Sequence, residues 1–482
     1  MHSTILPKLL LQRKAASARR LLWVAASSTS SLLDTAISEC ADSIKATLAK
    51  RTVAKERAQT RDSCFALVSQ SFSAADVETV AQRLQDRLSK ATGVDVIITG
   101  AVVDRIATNI SFHGSSGLSD GVSVLYHRPE SGTCPDAGLE AKPFYIGDIH
   151  GRQRLREVAV GRWHNTITDR FRDHQRLIQW KDGQSSVTQA ASHLKLPKEL
   201  EEISDPSAVE LILMAADKDS SQVFDALDSR FSRAVRLAIV GSQTPFFNGR
   251  EFTLFGSNQV YESGVVGVAF VRSQGVSSDN SRAVEQPQVK YTGLRAISDV
   301  LEIRRSKGNV VLEVENGEAA HQLIASIRKQ RKSLSSDRSS ENRLFAKITP
   351  SKESMLNSGV VLQVTGGDPA KGGLAIDTTK DIEPGRFIQF MILEDSSAVS
   401  LPESTDQPTL RFSAKEYSGM PEPACTDAGT SIATNVFGGA AEGGFVYSIS
   451  STGSKSNTIK SVLSGSAECA VPGSNMLFTL DN

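Results

Sequence analysis

AVRLAIVGSQTPFFNGREFTLFGSNQVYESGVVGVAF, residues 234–270, is the stretch that decides the fold. Three strands are predicted in it, at 234–240, 251–255 and 265–270, because two apolar runs flank one alternating segment. The Asn248-Gly249 pair supplies a turn before the middle strand. We therefore expect a sheet here, which closes a first domain and to which the upstream units attach.

The upstream sequence predicts strands that alternate with helices. Ser73 is an expected N-cap, with Asp76 three residues on, and apolar residues at helical spacing predict a helix over 74–90 that ends at Gly93. Strand–helix–strand units of this kind are typical of sheets covered by helices. The other predicted elements of this half are a helix at about 32–49, strands at 64–68, 94–103, 121–127, 143–146 and 209–215, and a helix after an N-cap at Asp219.

Residues 273–288 are polar and rich in Gly, Ser, Asn and Pro, so they are the predicted linker. A strand then leads to Asn316, the expected cap of a helix at 318–328. Further strands are predicted at 344–348, 359–364, 386–393, 409–413, 445–449 and 476–480. The predicted fold is α+β or α/β, with two consecutive mixed-sheet domains at 34–272 and 289–482 and helices packed on the sheets.

Composition limits the classes of function. Net charge is zero, with a pI near 7.1, which gives no support for nucleic-acid binding. The five cysteines form no Cys-x-x-Cys pair, so neither a metal site nor a disulfide framework is expected. No apolar run approaches the roughly 20 residues that a membrane helix needs.

Residues 1–33 differ from the rest of the chain. They are basic and rich in Ser and Leu, and the first acidic residue is Asp34. This composition is typical of a mitochondrial transit peptide, so the mitochondrial matrix is the predicted location. The alternative is a basic tail on a cytoplasmic protein.

Three motifs resemble active sites or binding modules without the context that those need. Gly-Asp-Ile-His-Gly at 147–151 has the spelling of a metallophosphoesterase motif, with Asp148 and His150, but the downstream metal ligands are missing. Ser119 lies in a Gly-x-Ser-x-Gly pattern, but a predicted strand follows it where a serine hydrolase needs a helix. Leu196-Pro197 resembles the start of an F-box, yet a strand follows it. We interpret all three as coincidences and expect no enzyme and no cofactor.

Two segments carry the candidate ligand-binding residues. Ser242, Gln243 and Thr244 are polar groups where a strand runs into a loop, a common place for ligands in sheet proteins. Gly438, Gly439 and Glu442 belong to a second, glycine-rich segment, predicted as a loop, where backbone N–H groups could approach an anionic ligand. Turn formation is the competing interpretation for both segments, and for the glycines of 366–373.

Several segments in order resemble the FIST family, over roughly residues 60–480. Asp120–Val124 and Gly264–Val268 resemble strands of a FIST-N domain, and Gly308–Ala320 is similar to the opening of a FIST-C domain. Other segments that carry the resemblance are 209–215, 227–231, Pro384–Phe390 and Phe437–Phe445, with 160–164 and 241–247 closest to the fungal branch.

The resemblance implies a non-enzymatic sensory module that binds a small molecule such as an amino acid. It also implies possible protein partners, and a ubiquitin-ligase role where an F-box precedes the module. The alternative function is therefore a protein-interaction scaffold or a substrate receptor. The family brings no catalytic residues, and none is transferred to this chain.

Overall fold

The computed structural model describes residues 22–50, 61–109, 117–129, 139–147, 195–218, 220–272, 286–333, 343–355, 359–368, 370–378, 380–394, 407–415, 431–449 and 465–480. Its strands are β1 (Leu22–Ser28), β2 (Asp62–Ser69), β3 (Val96–Val103), β4 (Arg105–Ala107), β5 (Leu118–Ser119), β6 (Val122–Arg128), β7 (Leu139–Ile146), β8 (Val209–Ala216), β9 (Val235–Val240), β10 (Leu254–Gly256), β11 (Gln259–Tyr261), β12 (Val265–Arg272), β13 (Gln288–Tyr291), β14 (Leu294–Ala296), β15 (Leu301–Lys307), β16 (Val310–Val314), β17 (Gly317–Glu318), β18 (Leu344–Thr349), β19 (Val360–Asp368), β20 (Gly373–Ile376), β21 (Phe387–Leu393), β22 (Thr409–Ala414), β23 (Ile432–Thr434), β24 (Val436–Ala441), β25 (Phe445–Ile449), β26 (Gly465–Cys469) and β27 (Ser474–Thr479). Its α-helices are α1 (Leu33–Lys50), α2 (Ala74–Thr92), α3 (Lys198–Glu201), α4 (Ser221–Arg230), α5 (Pro245–Asn248) and α6 (Ala319–Ser333). Short 3₁₀ turns occur at Pro206–Ala208 and Glu353–Met355. The predicted mixed α+β class is confirmed.

Sheet I has the strand order β11-β10-β3-β2-β6-β1-β23, and its β2 and β3 are parallel. Helices α1 and α2 cover one face with a continuous apolar cluster. The predicted ends of α2 are confirmed, because the Ser73 hydroxyl accepts from the Asp76 N–H and Gly93 closes the helix in the left-handed region. The helix begins and ends as the sequence predicts because both caps are local.

Sheet II has the order β26-β25-β9-β8-β12-β7, and its β8 and β9 are parallel. Helices α3 and α4 supply apolar residues to the cluster on its outer face. Its inner face packs against the inner face of sheet I through one large core that includes Phe65, Leu237 and Phe270. The result is a sandwich of four layers: helices, sheet I, sheet II and helices.

Two further sheets complete the molecule. Sheet III has the order β13-β27-β22-β24-β4-β5, with β22 and β24 parallel. Strands β21, β15, β16, β20, β19 and β18 pair in sequence, and β18 pairs back to β21, so they close into an antiparallel barrel. Helix α6 contributes Ala319 and Leu323 to the barrel's apolar cluster. Phe345 and Val361 point the other way and belong to the core of the sandwich.

The opening stretch contains the three predicted strands, as β9, β10 and β12, and a short additional strand, β11. The expectation that they form one sheet is wrong, because β10 lies in sheet I while β9 and β12 lie in sheet II. The chain crosses between the sheets directly after β9. There, the Gly241 N–H donates to the Ala216 carbonyl of sheet II, and the next N–H, of Ser242, donates to Val102 of sheet I.

Three local predictions are corrected by the structure. The glycine-rich segment 438–444 was expected to be a loop, but Gly438 and Gly439 lie inside β24. Asn316 does not serve as a side-chain cap that directly starts a helix, because β17 intervenes and the Asn316 carbonyl accepts a hydrogen bond from Gln322. The residue before α4 is Ser220, and Asp219 lies outside the described residues.

The two predicted domain segments contribute to the same sheets. Strands β23, β25 and β26 come from the second segment, yet they join sheets I and II, and sheet III combines β4 and β5 with four later strands. The boundaries at 34–272 and 289–482 stay a prediction. Residues 273–285 of the predicted linker lie outside the described part of the chain.

The end of the predicted presequence is part of the sheet. Residues 22–28 form β1, which pairs with β6 along its whole length, and Trp23, Val24, Ala25 and Ala26 are buried. A presequence that ended at residue 33 would remove this strand and leave the core side of sheet I incomplete. The location of the protein stays a prediction.

Candidate functional site

The carboxyl ends of three parallel strand pairs meet at one end of the sandwich. Gly241, after β9, bonds to Ala216 at the end of β8, and Ser242 bonds to Val102 of β3. In turn the Asp104 N–H donates to Ala440 of β24. The Lys415 N–H, after β22, donates to Ala441. In sheets with parallel strands, ligands bind outside the carboxyl ends, so this end is where a site is expected.

Five charged residues lie at this end, and we call them the strand-end cluster: Asp104, Arg105, Asp120, Lys415 and Glu442. Four of them, all except Arg105, directly follow the last residue of a strand, which places a charged group where the strand ends. Lys415 Nζ lies 2.7 Å from Asp104 Oδ2, and these two side chains are 21% and 23% exposed. This ion pair joins residues of sheet I and sheet III.

The other two carboxylates of the cluster are less well compensated. Burial raises the pKa of Glu442, and the nearby Asp104 raises it further while Lys415 lowers it. Burial also raises the pKa of Asp120, against the lowering effect of Arg105. Among the described residues neither carboxylate makes a hydrogen bond or an ion pair. Half-buried carboxylates in this situation are typical of functional sites.

Of the three sequence-predicted residues after β9, only Gln243 is exposed. Its carbonyl accepts a hydrogen bond of 2.9 Å from Gln70 Nε2. Ser242 is fully buried, and its hydroxyl has no partner among the described residues. Thr244 is a structural residue, since its buried hydroxyl contacts the Arg250 carbonyl at 3.1 Å and Thr253 Oγ1 at 2.8 Å.

Gly438 and Gly439 are needed for close packing of strands. A Cβ atom at Gly438 would lie 1.8 Å from the Arg411 carbonyl oxygen, and its φ of +157° disfavours other residues. A Cβ at Gly439 would lie 2.9 Å from the Arg105 carbonyl oxygen. These two glycines therefore position the strand, while Glu442, just beyond it, reaches the cluster.

Both predicted segments thus lead to the same end of the molecule, through contacts that the sequence does not show. The Val240 N–H donates to the Gly444 carbonyl at 3.0 Å, which joins them directly. The sequence did not predict Gln70, Asp104, Arg105, Asp120 or Lys415 as site residues. Asp104 and Lys415 each follow a buried strand, which was a usable signal, but only the topology shows that these strand ends share one edge.

A short helix stands beside this end of the molecule. Phe247 of α5 packs on the core beneath the helices, whereas its neighbour Phe246 is fully exposed. The helix is held by the Asn248 amide, which donates to Thr253, and by an ion pair of Arg250 with Glu78 of α2. Phe246 is therefore an aromatic side chain on a well-anchored support.

The motifs that resemble active sites gain no support. Ser119 lies in β5, paired with Ile106, and not on a turn between a strand and a helix. Leu196-Pro197 leads into the four-residue helix α3 and then into β8. Asp148 and His150 lie outside the described residues. In the described part of the chain, no group of three or more His, Cys, Asp or Glu is placed to hold a metal.

The comparison with protein families gives a match. The FIST N domain model matches residues 64–317, which is 254 of the 482 residues. The chain belongs to the FIST family. FIST domains are sensory, ligand-binding, non-catalytic domains of signal transduction. The match extends past the predicted linker into the barrel, as far as β17.

No curated protein matches the chain. None of the helices that the structure describes is both long enough and apolar enough to cross a membrane.

Proposed function

We propose that this FIST protein is a sensor that binds a small amino-acid-like molecule at the strand-end cluster. The observation that carries the proposal is the pair of half-buried carboxylates, Asp120 and Glu442, that lack a partner among the described residues beside the Asp104–Lys415 ion pair. A half-buried carboxylate is stabilised by a cationic partner, which an ammonium group of a ligand supplies.

The cluster carries charges of both signs, which fits a zwitterion. Glu442 and Asp120 accept hydrogen bonds from the ligand's ammonium group, and Lys415 donates to its carboxylate. The proposal further treats residues 289–482 as a FIST-C-like half of the fungal type, whose Lys415 and Glu442 complete a site begun by the first half.

Isothermal titration of the full chain with a panel of zwitterionic amino acids tests the proposal. We expect saturable binding that Glu442→Gln and Lys415→Met each weaken at least about tenfold, because each removes one charge-assisted hydrogen bond. Glu315→Gln, an exposed glutamate of the barrel, is the matched control and leaves affinity unchanged. Absence of binding across the panel rejects the ligand class, and binding that is insensitive to both cluster variants rejects the site.

The alternative, a protein-interaction scaffold or ubiquitin-ligase substrate receptor, is favoured by Phe246. Exposed, rigidly held aromatic residues are frequent anchors of protein interfaces. Co-purification of a ubiquitin-ligase adaptor with the wild-type chain, lost in Phe246→Ala, supports this function. Failure of the purified adaptor to bind the wild-type chain removes it.

The mitochondrial matrix remains the proposed location. The basic, acid-free composition of the first residues supports it. Because β1 is needed in sheet I, we place any cleavage before Leu22 rather than at residue 33. A fluorescent reporter fused behind residues 1–40 should enter mitochondria, and a cytosolic reporter contradicts the proposal.

A further inference from the structure

The strand-end cluster borders the outer face of sheet III. Ile106 and Ala441 point from this sheet into the core of the sandwich. Their neighbours along each strand therefore point away from the core, because successive side chains alternate between the two faces of a sheet. Ala440 pairs with Arg105 of β4 on one side and with Ser413 of β22 on the other, so these three residues form a row across the outer face.

Glu442 and Lys415 are cross-strand neighbours on one side of this row. Ala441 pairs with Ala414 in the parallel ladder of β24 and β22, and the Lys415 N–H continues the ladder to the Ala441 carbonyl. A carboxylate and an ammonium group therefore stand side by side. The α-carbon of an amino acid carries the complementary pair of groups, so Lys415 matches the α-carboxylate and Glu442 matches the α-ammonium group.

Asp120 lies on the other side of the cluster. Ile106 pairs with Ser119 in the antiparallel ladder of β4 and β5, which places Asp120 opposite Arg105. From Glu442 to Asp120 the distance is two strands across and two residues along, so the two backbone positions are about 12 Å apart. Arg105 partly offsets the charge of Asp120, although these two described side chains form no ion pair. Asp120 is thus a second, separate carboxylate of the site.

The cluster carries more negative than positive charge. Its three carboxylates outnumber its two basic side chains, which leaves one negative charge. The Asp104–Lys415 ion pair lies within electrostatic range of both Asp120 and Glu442. A further cation on this face, Arg411, lies four residues before Lys415, about 13 Å along the strand. A neutral zwitterion leaves the excess charge in place, whereas a ligand with one net positive charge cancels it.

An organic cation fits this charge better than a metal ion. In the part of the chain that the structure describes, no three His, Cys, Asp or Glu side chains are placed to hold a metal. The two ammonium nitrogens of an extended lysine are about 7 Å apart, and a hydrogen bond of about 2.8 Å at each end gives a span of about 13 Å. This span is close to the distance of about 12 Å between the backbone positions of Asp120 and Glu442.

We infer that the ligand of the strand-end cluster is a basic amino acid, with its side-chain cation on Asp120 and its α-ammonium and α-carboxylate groups on Glu442 and Lys415. This ligand class rests on the proposed function, because it applies to the same site. Asp120 is the residue that determines specificity, while Glu442 and Lys415 hold the groups that all amino acids share. Removal of the Asp120 charge should therefore abolish the preference for basic ligands and leave binding itself intact.

Isothermal titration of the full chain with two matched pairs of ligands tests this assignment. L-lysine is compared with L-norleucine, and L-arginine with L-citrulline, which keep the α-groups but have uncharged side chains of similar length. We expect lysine or arginine to bind at least about tenfold more tightly than its neutral counterpart, because the Asp120 carboxylate gains a charge-assisted hydrogen bond. In Asp120→Asn this ratio should fall to about one, with the affinity for the neutral ligands unchanged.

Asp299→Asn, at an exposed aspartate before β15, is the matched control and should keep the wild-type ratio. Equal affinities for basic and neutral ligands, weakened together in Glu442→Gln, overturn the basic-ligand assignment and leave the proposed function standing. Absence of binding for all four ligands overturns both. An unchanged ratio in Asp120→Asn also overturns the assignment. Should Asp120→Asn fail to fold, the wild-type ratio decides: about ten or more supports a basic ligand, and about one overturns it.

Discussion

Glu442 shows at the scale of one residue how a proposed site residue can lower stability. Its carboxylate is half-buried beside Asp104, which disfavours its charged form, and only Lys415 among its neighbours acts in the opposite direction. In the proposed site, the ammonium group of a ligand would supply a cation beside this carboxylate.

Removal of this charge should stabilise the free protein. The pKa of Glu442 is raised in the folded state. The contribution of this group to folding stability is therefore fully present below its pKa in the unfolded chain, and it is lost as the pH rises through its pKa in the folded protein. Glu442→Gln should therefore raise Tm by about 1–2 °C at pH 7 and leave it unchanged near pH 4. Differential scanning calorimetry at the two pH values, with Glu315→Gln as control, measures the difference. A lower Tm at pH 7 contradicts this account.

At the scale of elements, helices follow their sequence signals closely and strands less so. Helix α2 begins after Ser73 and ends at Gly93 as predicted, because capping involves residues within one turn. The strand at β24 was expected to be a loop, because its glycines satisfy packing demands from β22 and β4 that lie far away in sequence. Local signals determine the ends of a helix, whereas the glycines of a strand can reflect packing with distant strands.

Mutation of the N-cap of α2 measures how much a local hydrogen bond contributes to the free energy of unfolding. Ser73→Ala should lower the free energy of unfolding by about 1 kcal/mol, because the Asp76 N–H loses its acceptor. Thr79→Ala, at an exposed position within the same helix, should instead stabilise the protein by a few tenths of a kcal/mol. Urea denaturation measures both changes, and equal effects of the two substitutions would show that the cap contributes nothing of its own.

At the scale of the whole molecule, the chain does not fill its sheets in sequence order. Sheets I, II and III each combine strands from both predicted domain segments, and the barrel packs Phe345 and Val361 into the core of the sandwich. The strand-end cluster follows this division, since Asp104 and Asp120 come from the first segment and Lys415 and Glu442 from the second. The proposed site therefore requires both segments.

A chain shortened to residues 1–272 should not fold cooperatively. It would lose β23 from sheet I, β25 and β26 from sheet II, and most of sheet III, which exposes the core side of the sandwich. We expect strong binding of a hydrophobic dye and no sharp thermal transition by circular dichroism. Addition of a 286–482 chain should restore a transition if the segments can assemble. A cooperative transition of the shortened chain alone would establish the first segment as an independent domain.

The sequence by itself determined the mixed α+β class, the family and most individual elements, including β9, β12 and both ends of α2. Apolar periodicity, glycine turns and helix caps act over a few residues, so these features can be found in the chain directly. The six site residues predicted from sequence lie at one end of the molecule, where only Glu442 belongs to the strand-end cluster, and Thr244, Gly438 and Gly439 are structural.

Only the tertiary structure decided which strands share a sheet and which side chains meet. It separated β10 from β9 and β12, it placed β1 inside sheet I, and it brought Asp104 to Lys415. Strand pairing and burial depend on hydrogen bonds and packing between segments far apart in the chain, and no local pattern specifies those partners. The strand-end cluster is a consequence of that pairing.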